Sequence, residues 1–180
     1  TYGKLEDERI FVAMELLEGE TLGARMRRES KLSPESLTPI LTGACAGLAA
    51  AHRMDVVHRD LKPDNIFLCG DPVQVKLLDF GISKVFGLAK LTRTGQILGT
   101  PRYMAPEQLA ADDDVDGRID VYALGVMLYE ALAGTPPFTG TTPSALIVSI
   151  LQGRVTPLKS YCPDLDPEVA AIVARAMSRT

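Results

Sequence analysis

The chain has 180 residues, 46% of them hydrophobic and 23% charged, a balance ordinary for a globular domain with a substantial core. A formal net charge of -4 and the lack of any basic run give no reason to expect nucleic acid or a membrane surface as partner. Cys45, Cys69 and Cys162 are too widely spaced for a metal or disulfide framework and read as buried or incidental thiols in a reducing compartment.

The first residue is Thr1 and strand-like sequence follows at once, as expected of a piece cut from a longer chain. Ile10 to Met14 is a short apolar run of strand formers and predicts a buried strand. Glu18-Gly19 turns the chain, and Thr21 to Glu29 has helical composition. Ser33 as N-cap and Pro34 at the first helical position predict a longer helix. Leu37, Ile40, Leu41, Ala44, Cys45, Leu48 and Ala51 then recur on one face, and the helix is expected to end near Met54. Ile66 to Leu68 and Val75 to Leu78 read as strands joined by a turn at Gly70-Asp71-Pro72. Asp79 to Pro106 has little periodicity and predicts a long functional or disordered loop. Asp112, Asp113, Asp114 and Asp116 read as a solvated acidic loop rather than a metal site. Ile119 to Ala133 predicts a mostly buried helix, and Thr142-Pro143 and Asp166-Pro167 start two more. The most apolar stretch, Val121 to Tyr129, is bracketed by Asp120 and Glu130 and falls short of the roughly 20 residues of a membrane span. No signal-peptide pattern is visible.

Three strings carry the chemistry: His58-Arg59-Asp60-Leu61-Lys62-Pro63-Asp64-Asn65, then Asp79-Phe80-Gly81, then Ala105-Pro106-Glu107. An aspartate can orient a hydroxyl and accept its proton. A lysine two residues on can offer charge to a transferring phosphate. An asparagine oxygen and a second carboxylate suit a hard cation such as Mg²⁺. In this order the strings resemble the catalytic loop, the metal-binding loop and the end of the activation segment of eukaryotic-type (Hanks-type) serine/threonine protein kinases, with a bacterial cast in Glu18-Gly19-Glu20-Thr21-Leu22.

The resemblance implies an α+β, protein-kinase-like fold, with residues 1–17 ending the N-lobe sheet and hinge and 18–180 forming an incomplete, mainly helical C-lobe with short β-hairpins. It implies ATP and Mg²⁺ (or Mn²⁺) as cofactors and protein serine/threonine hydroxyls as acceptors. Asp60 would be the base, Lys62 the γ-phosphate contact, and Asn65 and Asp79 the metal ligands. Met14, Glu15 and Leu17 resemble the gatekeeper and hinge, where the Glu15 carbonyl and Leu17 amide would hold adenine. Phe67 would lie against the ring, and plain core packing explains it equally well. Glu20 or Thr21 would reach the ribose. Thr100, in the string Gly99 to Glu107, would bond Asp60 and Lys62 within a peptide-docking loop. That loop, together with Lys62, favours serine/threonine over tyrosine.

His58 is expected to pack beneath Phe80 rather than act as a base, and His52 to be a satisfied helix-end histidine. Gly81 and Glu107 have supporting roles, and Asp120 would anchor the backbone of the catalytic loop. Arg59 would bind a phosphate placed on Thr92 or Thr94, which suggests autophosphorylation, with a kinase dimer as one route. A Gly-rich loop, a strand lysine and its helix glutamate are not found in these residues, so the 180 residues alone are expected to be inactive. Glu107 would normally pair with an arginine, but only Arg175 and Arg179 follow Asp166 and neither has the expected context. A pseudokinase scaffold is the main rival, with a small-molecule phosphotransferase of related fold behind it. The expected location is cytoplasmic, with any membrane anchor of the parent protein lying outside these residues.

Overall fold

Short strands, capped helices and one buried helix build a platform around residues 58–65. The computed structural model describes residues 2–5, 7–80, 101–110 and 115–178. Gly81, Thr92, Thr94, Thr100, Asp112 to Asp114 and Arg179 lie outside the described residues, as does most of the predicted loop.

Strands β1 (Tyr2–Lys4) and β2 (Ile10–Val12) form an antiparallel pair with Gly3 opposite Phe11. The expected strand is therefore present, but its burial is corrected: Phe11 and Val12 are exposed. A two-stranded ribbon has no third layer among the described residues to cover its apolar side chains.

β3 (Gly19–Thr21) leads directly into α1 (Leu22–Glu29), because the Thr21 hydroxyl caps the helix by accepting from the Ala24 N–H at 3.0 Å. Ser33 does the same for α2 (Pro34–His52), accepting from Ser36 N–H, with Pro34 in the first turn. Leu37, Ile40, Ala44 and Leu48 form its buried stripe. The helix ends at His52, two residues short of expectation, and Asp55 then takes a left-handed φ of 57° as the chain turns. A 3-10 turn at Pro63–Asn65 feeds β4 (Ile66–Cys69), which pairs with β5 (Gln74–Leu77). The sheet order is β3-β4-β5, all antiparallel, with Phe67 opposite both Thr21 and Lys76.

Pro101–Tyr103 forms a 3-10 turn and Pro106 opens the short α3 (Pro106–Leu109) within what the sequence reads as the end of a loop. α4 (Arg118–Ala133) follows, then α5 (Pro143–Gln152) and α6 (Pro167–Ala176), the last two capped by the Thr142 and Asp166 side chains. Only Arg118, Val121 and Glu130 of the 16 residues in α4 escape burial. A helix apolar on every side belongs in the centre of a core. Ala123, Leu124 and Met127 face the cluster of Leu37, Ile40, Leu61 and Ile66, while Ile119, Tyr122 and Val126 face Ala105, Phe138 and Ile150. Gly125 allows α6 to approach: a Cβ there would sit 2.8 Å from that of Ala176. Gly134, at φ 71°, ends α4 in the left-handed conformation favoured at helix C-termini. Among the described residues no helix is long and apolar enough to cross a membrane.

Candidate active site

The side chains of Asp120, Asn65 and Gln108 hold backbone groups between α2 and β4, and His52 supports Asp120. Asp120, 1% exposed in the first turn of α4, accepts the His58 N–H on Oδ2 at 2.9 Å and the Arg59 N–H on Oδ1 at 3.0 Å. His52, at the end of α2, places Nε2 2.7 Å from the same Oδ2. A buried carboxylate is costly unless its oxygens are satisfied, and these three partners satisfy it. On the far side of the loop, Asn65 donates from Nδ2 to the Asp60 carbonyl at 2.8 Å.

These contacts fix an unusual backbone. Arg59 has φ 68° and Asp79 φ 59°, left-handed values that non-glycine residues adopt only when their surroundings impose them. The Asp60 carboxylate is left half-exposed at the surface, 2.8 Å from the Lys62 ammonium. His58 is fully buried, its Nε2 2.8 Å from the Leu78 carbonyl and its ring 4.8 Å from that of Phe80. The Leu78 N–H donates to the Asn65 carbonyl at 2.9 Å, so the residue before Asp79 is tied to Asn65.

The donor set fits a magnesium ion. With Nδ2 committed to the Asp60 carbonyl, Asn65 has its Oδ1 free of hydrogen bonds from the described residues, and Asp79 is an exposed carboxylate. Mg²⁺ takes hard oxygen donors and is commonly held by one or two protein groups plus phosphate oxygens. No cluster of three or more His, Cys, Asp or Glu suited to a metal occurs among the described residues.

The segment that the sequence reading assigns to nucleotide is more open. Met14 and Leu16 are 70% and 92% exposed. Glu15 pairs with Lys76 at 2.8 Å, which brings the hinge beside β5, directly across the ladder from the half-buried Phe67. The Glu15 carbonyl and the Leu17 N–H make no hydrogen bond with the described residues. Glu20 is held by Arg25 and Arg28, whose hydrogen bonds, that of Arg28 foremost, lower its carboxyl to about 2, while the Thr21 hydroxyl is used as a helix cap.

The docking side is fastened to α4. Tyr103 donates its hydroxyl to Glu130 Oε2 at 2.8 Å, and Arg102 lies 3.3 Å from Oε1 of the same residue. Burial, reinforced by the Glu130 charge, pushes the Tyr103 phenol well above its ordinary range. Glu107 is half-buried and pairs with none of the described residues. Asp116, from the acidic stretch, is bound by Arg118 at 2.9 Å. The contacts that sequence reasoning missed are those of His52 with Asp120 and of Gln108 with the catalytic loop. Both link residues far apart in the chain, and no local pattern signals them.

The order of strings, the mainly helical body with short antiparallel strands and the anchored loop are those of a protein-kinase-like fold. The protein kinase domain family matches residues 2–175, and the chain belongs to that family. It is 40% identical over 169 residues to the serine/threonine-protein kinase PknL of Mycobacterium tuberculosis, covering 94% of this chain and 42% of that protein. It is 37% identical over 178 residues to PknH of Mycobacterium bovis, covering 99% of this chain and 29% of the relative. A probable serine/threonine-protein kinase of Streptomyces coelicolor, SCO3848, is 36% identical over 169 residues, 93% of this chain and 25% of the relative. The chain thus spans less than half the length of these curated relatives.

Proposed function

We propose that this chain supplies the catalytic half of a serine/threonine protein kinase that moves the γ-phosphate of ATP to protein hydroxyls. The observation that carries the reading is the Asp60–Lys62 pair, held at 2.8 Å on a loop whose backbone is anchored by Asp120 and Asn65. ATP bound with Mg²⁺ (or Mn²⁺) would supply the phosphoryl group and positive charge to offset that of its phosphates. Asp60 orients the acceptor hydroxyl and takes its proton. Lys62 sets its charge against the transferring group. Asn65 Oδ1 and the Asp79 carboxylate hold the metal. The Glu15 carbonyl and Leu17 N–H hold adenine, with Met14 and Phe67 beside the ring. Thr100 positions the acceptor segment against Asp60 and Lys62.

Control runs through Arg59, which receives a phosphate placed on Thr92 or Thr94 by autophosphorylation, in trans within a kinase dimer. Residues 1–17 act as the end of the N-lobe with the hinge, and 18–180 as the C-lobe. The 180 residues alone bind ATP weakly, since the strand lysine and Gly-rich loop of a kinase cleft are not among them. The kinase acts in the cytoplasm, on proteins with serine or threonine acceptors.

Phosphate transfer from Mg-ATP by the complete protein tests the reading. Asp60→Asn is expected to lower turnover on the order of 10²- to 10⁴-fold. Equal turnover would overturn the assignment. For the regulatory part, the Thr92→Ala/Thr94→Ala double variant is expected to lose activation, and unchanged activity would remove it.

A further inference from the structure

We propose that Gln108 is a positioning residue for Asp60, coupling the end of the peptide-docking segment to the catalytic loop; the proposal rests on the kinase reading above. Gln108 sits in the short helix α3. Its Nε2 donates to the Arg59 carbonyl at 3.0 Å, across 49 residues of chain, and its Oε1 accepts the Ala105 N–H at 2.9 Å. Both ends of the amide are used, and only one orientation of the group satisfies a carbonyl and an N–H together.

The Arg59 carbonyl belongs to the peptide unit that leads into Asp60. Arg59 is in a left-handed conformation, and such a residue stays there only if held on both sides. Its N–H is held by Asp120 Oδ1; its carbonyl is held by Gln108. The next carbonyl, that of Asp60, is held by Asn65. The N–H of the same peptide unit, that of Asp60, reaches His58 Nδ1 at 3.4 Å, so Gln108 supplies the shorter of its two described side-chain hydrogen bonds. Without it, that unit keeps only the long bond to His58 and can tilt, carrying the Asp60 carboxylate with it.

The other half of the contact faces the docking segment. Ala105 is fully buried at the start of α3 and has no side-chain acceptor to cap the helix, so Gln108 reaches back to its N–H. Gln108 lines one cleft with Asp60, Lys62, Tyr103 and Met104. A shift of the segment at Met104 and Ala105 is thereby passed to the peptide before Asp60. A purely local cap needs only the acceptor oxygen. The amide donor has no use within α3, and its partner is the catalytic loop.

Two variants of the complete protein separate these roles. Gln108→Glu keeps the acceptor for Ala105 and replaces the donor with an oxygen facing the Arg59 carbonyl. Gln108→Leu removes both bonds. With Mg-ATP and dephosphorylated casein, both are expected to lower kcat on the order of ten- to a hundredfold, as small misplacements of a catalytic group do. The KM for ATP is expected to stay at the wild-type value, and the Tm of Gln108→Glu to stay close to wild type. Wild-type kcat in Gln108→Glu, or a loss confined to the KM for ATP, would overturn the assignment of Gln108 while leaving the kinase reading intact. A wild-type protein no more active than Asp60→Asn would overturn the kinase reading, and this proposal with it.

Discussion

Residues 58–65 lead into β4 and residues 14–17 lead toward β3, and the two segments are held by different means. Around Asp60, backbone groups are fixed by side chains of Asp120, Asn65 and Gln108, with Asp120 buried and further engaged by His52. Around Met14 to Leu17, the side chains are exposed apart from the half-buried Leu17, and the described attachment is one surface ion pair, Glu15 to Lys76. Buried hydrogen bonds to a charge are costly to break, whereas exposed ion pairs contribute little. The loop is thus built as a fixed template, while the hinge offers free backbone groups to whatever lies above it.

Asp120→Ala should give the largest effect. It leaves the His58 and Arg59 N–H groups without their acceptor in the interior, a loss of about 3 kcal/mol in stability. Urea unfolding checks this, and a midpoint near wild type would break the contrast between the two regions. His52→Ala removes one partner of the same carboxylate and should lower stability by about 1 kcal/mol by the same measurement. Lys76→Ala should cost less than about 0.5 kcal/mol, because both partners are exposed. A loss as large as that of Asp120→Ala would mean that the hinge is anchored as firmly as the loop.

The smallest effect is expected in acid. Hydrogen bonds from Arg28 and then Arg25 lower the Glu20 carboxyl from 4.5 to about 2. A depressed folded-state value stabilises the protein above the ordinary one, and that contribution fades as pH falls from 4.5 toward about 2. Glu20 is only partly covered and Arg28 lies at the surface, so solvent screening keeps the effect slight. Unfolding midpoints of wild type and Glu20→Gln should therefore differ at pH above 4.5 and converge in stronger acid; a constant gap would count against the pairing.

Much of the fold was legible because its signals are local. Ser33-Pro34, Thr142-Pro143 and Asp166-Pro167 each combine an N-cap with a proline in the first turn, and each begins a helix in the structure. The helical spacing of Leu37, Ile40, Ala44 and Leu48 fixed a buried face without reference to the rest of the chain. The exposure of Phe11 and Val12 was not legible, since an apolar run does not reveal whether another layer covers it. The helix at Pro106–Leu109 was missed too. Its N-cap is an alanine with no side-chain acceptor, and the Ala105 N–H is instead taken by Gln108, one turn on.

The sequence by itself determined the family and named the candidate residues. In the proposed reaction Asp60, Lys62, Asn65 and Asp79 act through their side chains, so their identities and order are written in the chain. The tertiary structure decided how the loop is held. His52 and Asp120 lie 68 residues apart, and Gln108 and Arg59 lie 49 apart, yet each pair meets within hydrogen-bonding distance. Such meetings depend on how α2, α3 and α4 pack around one core, and packing is a property of the whole chain that no short string contains.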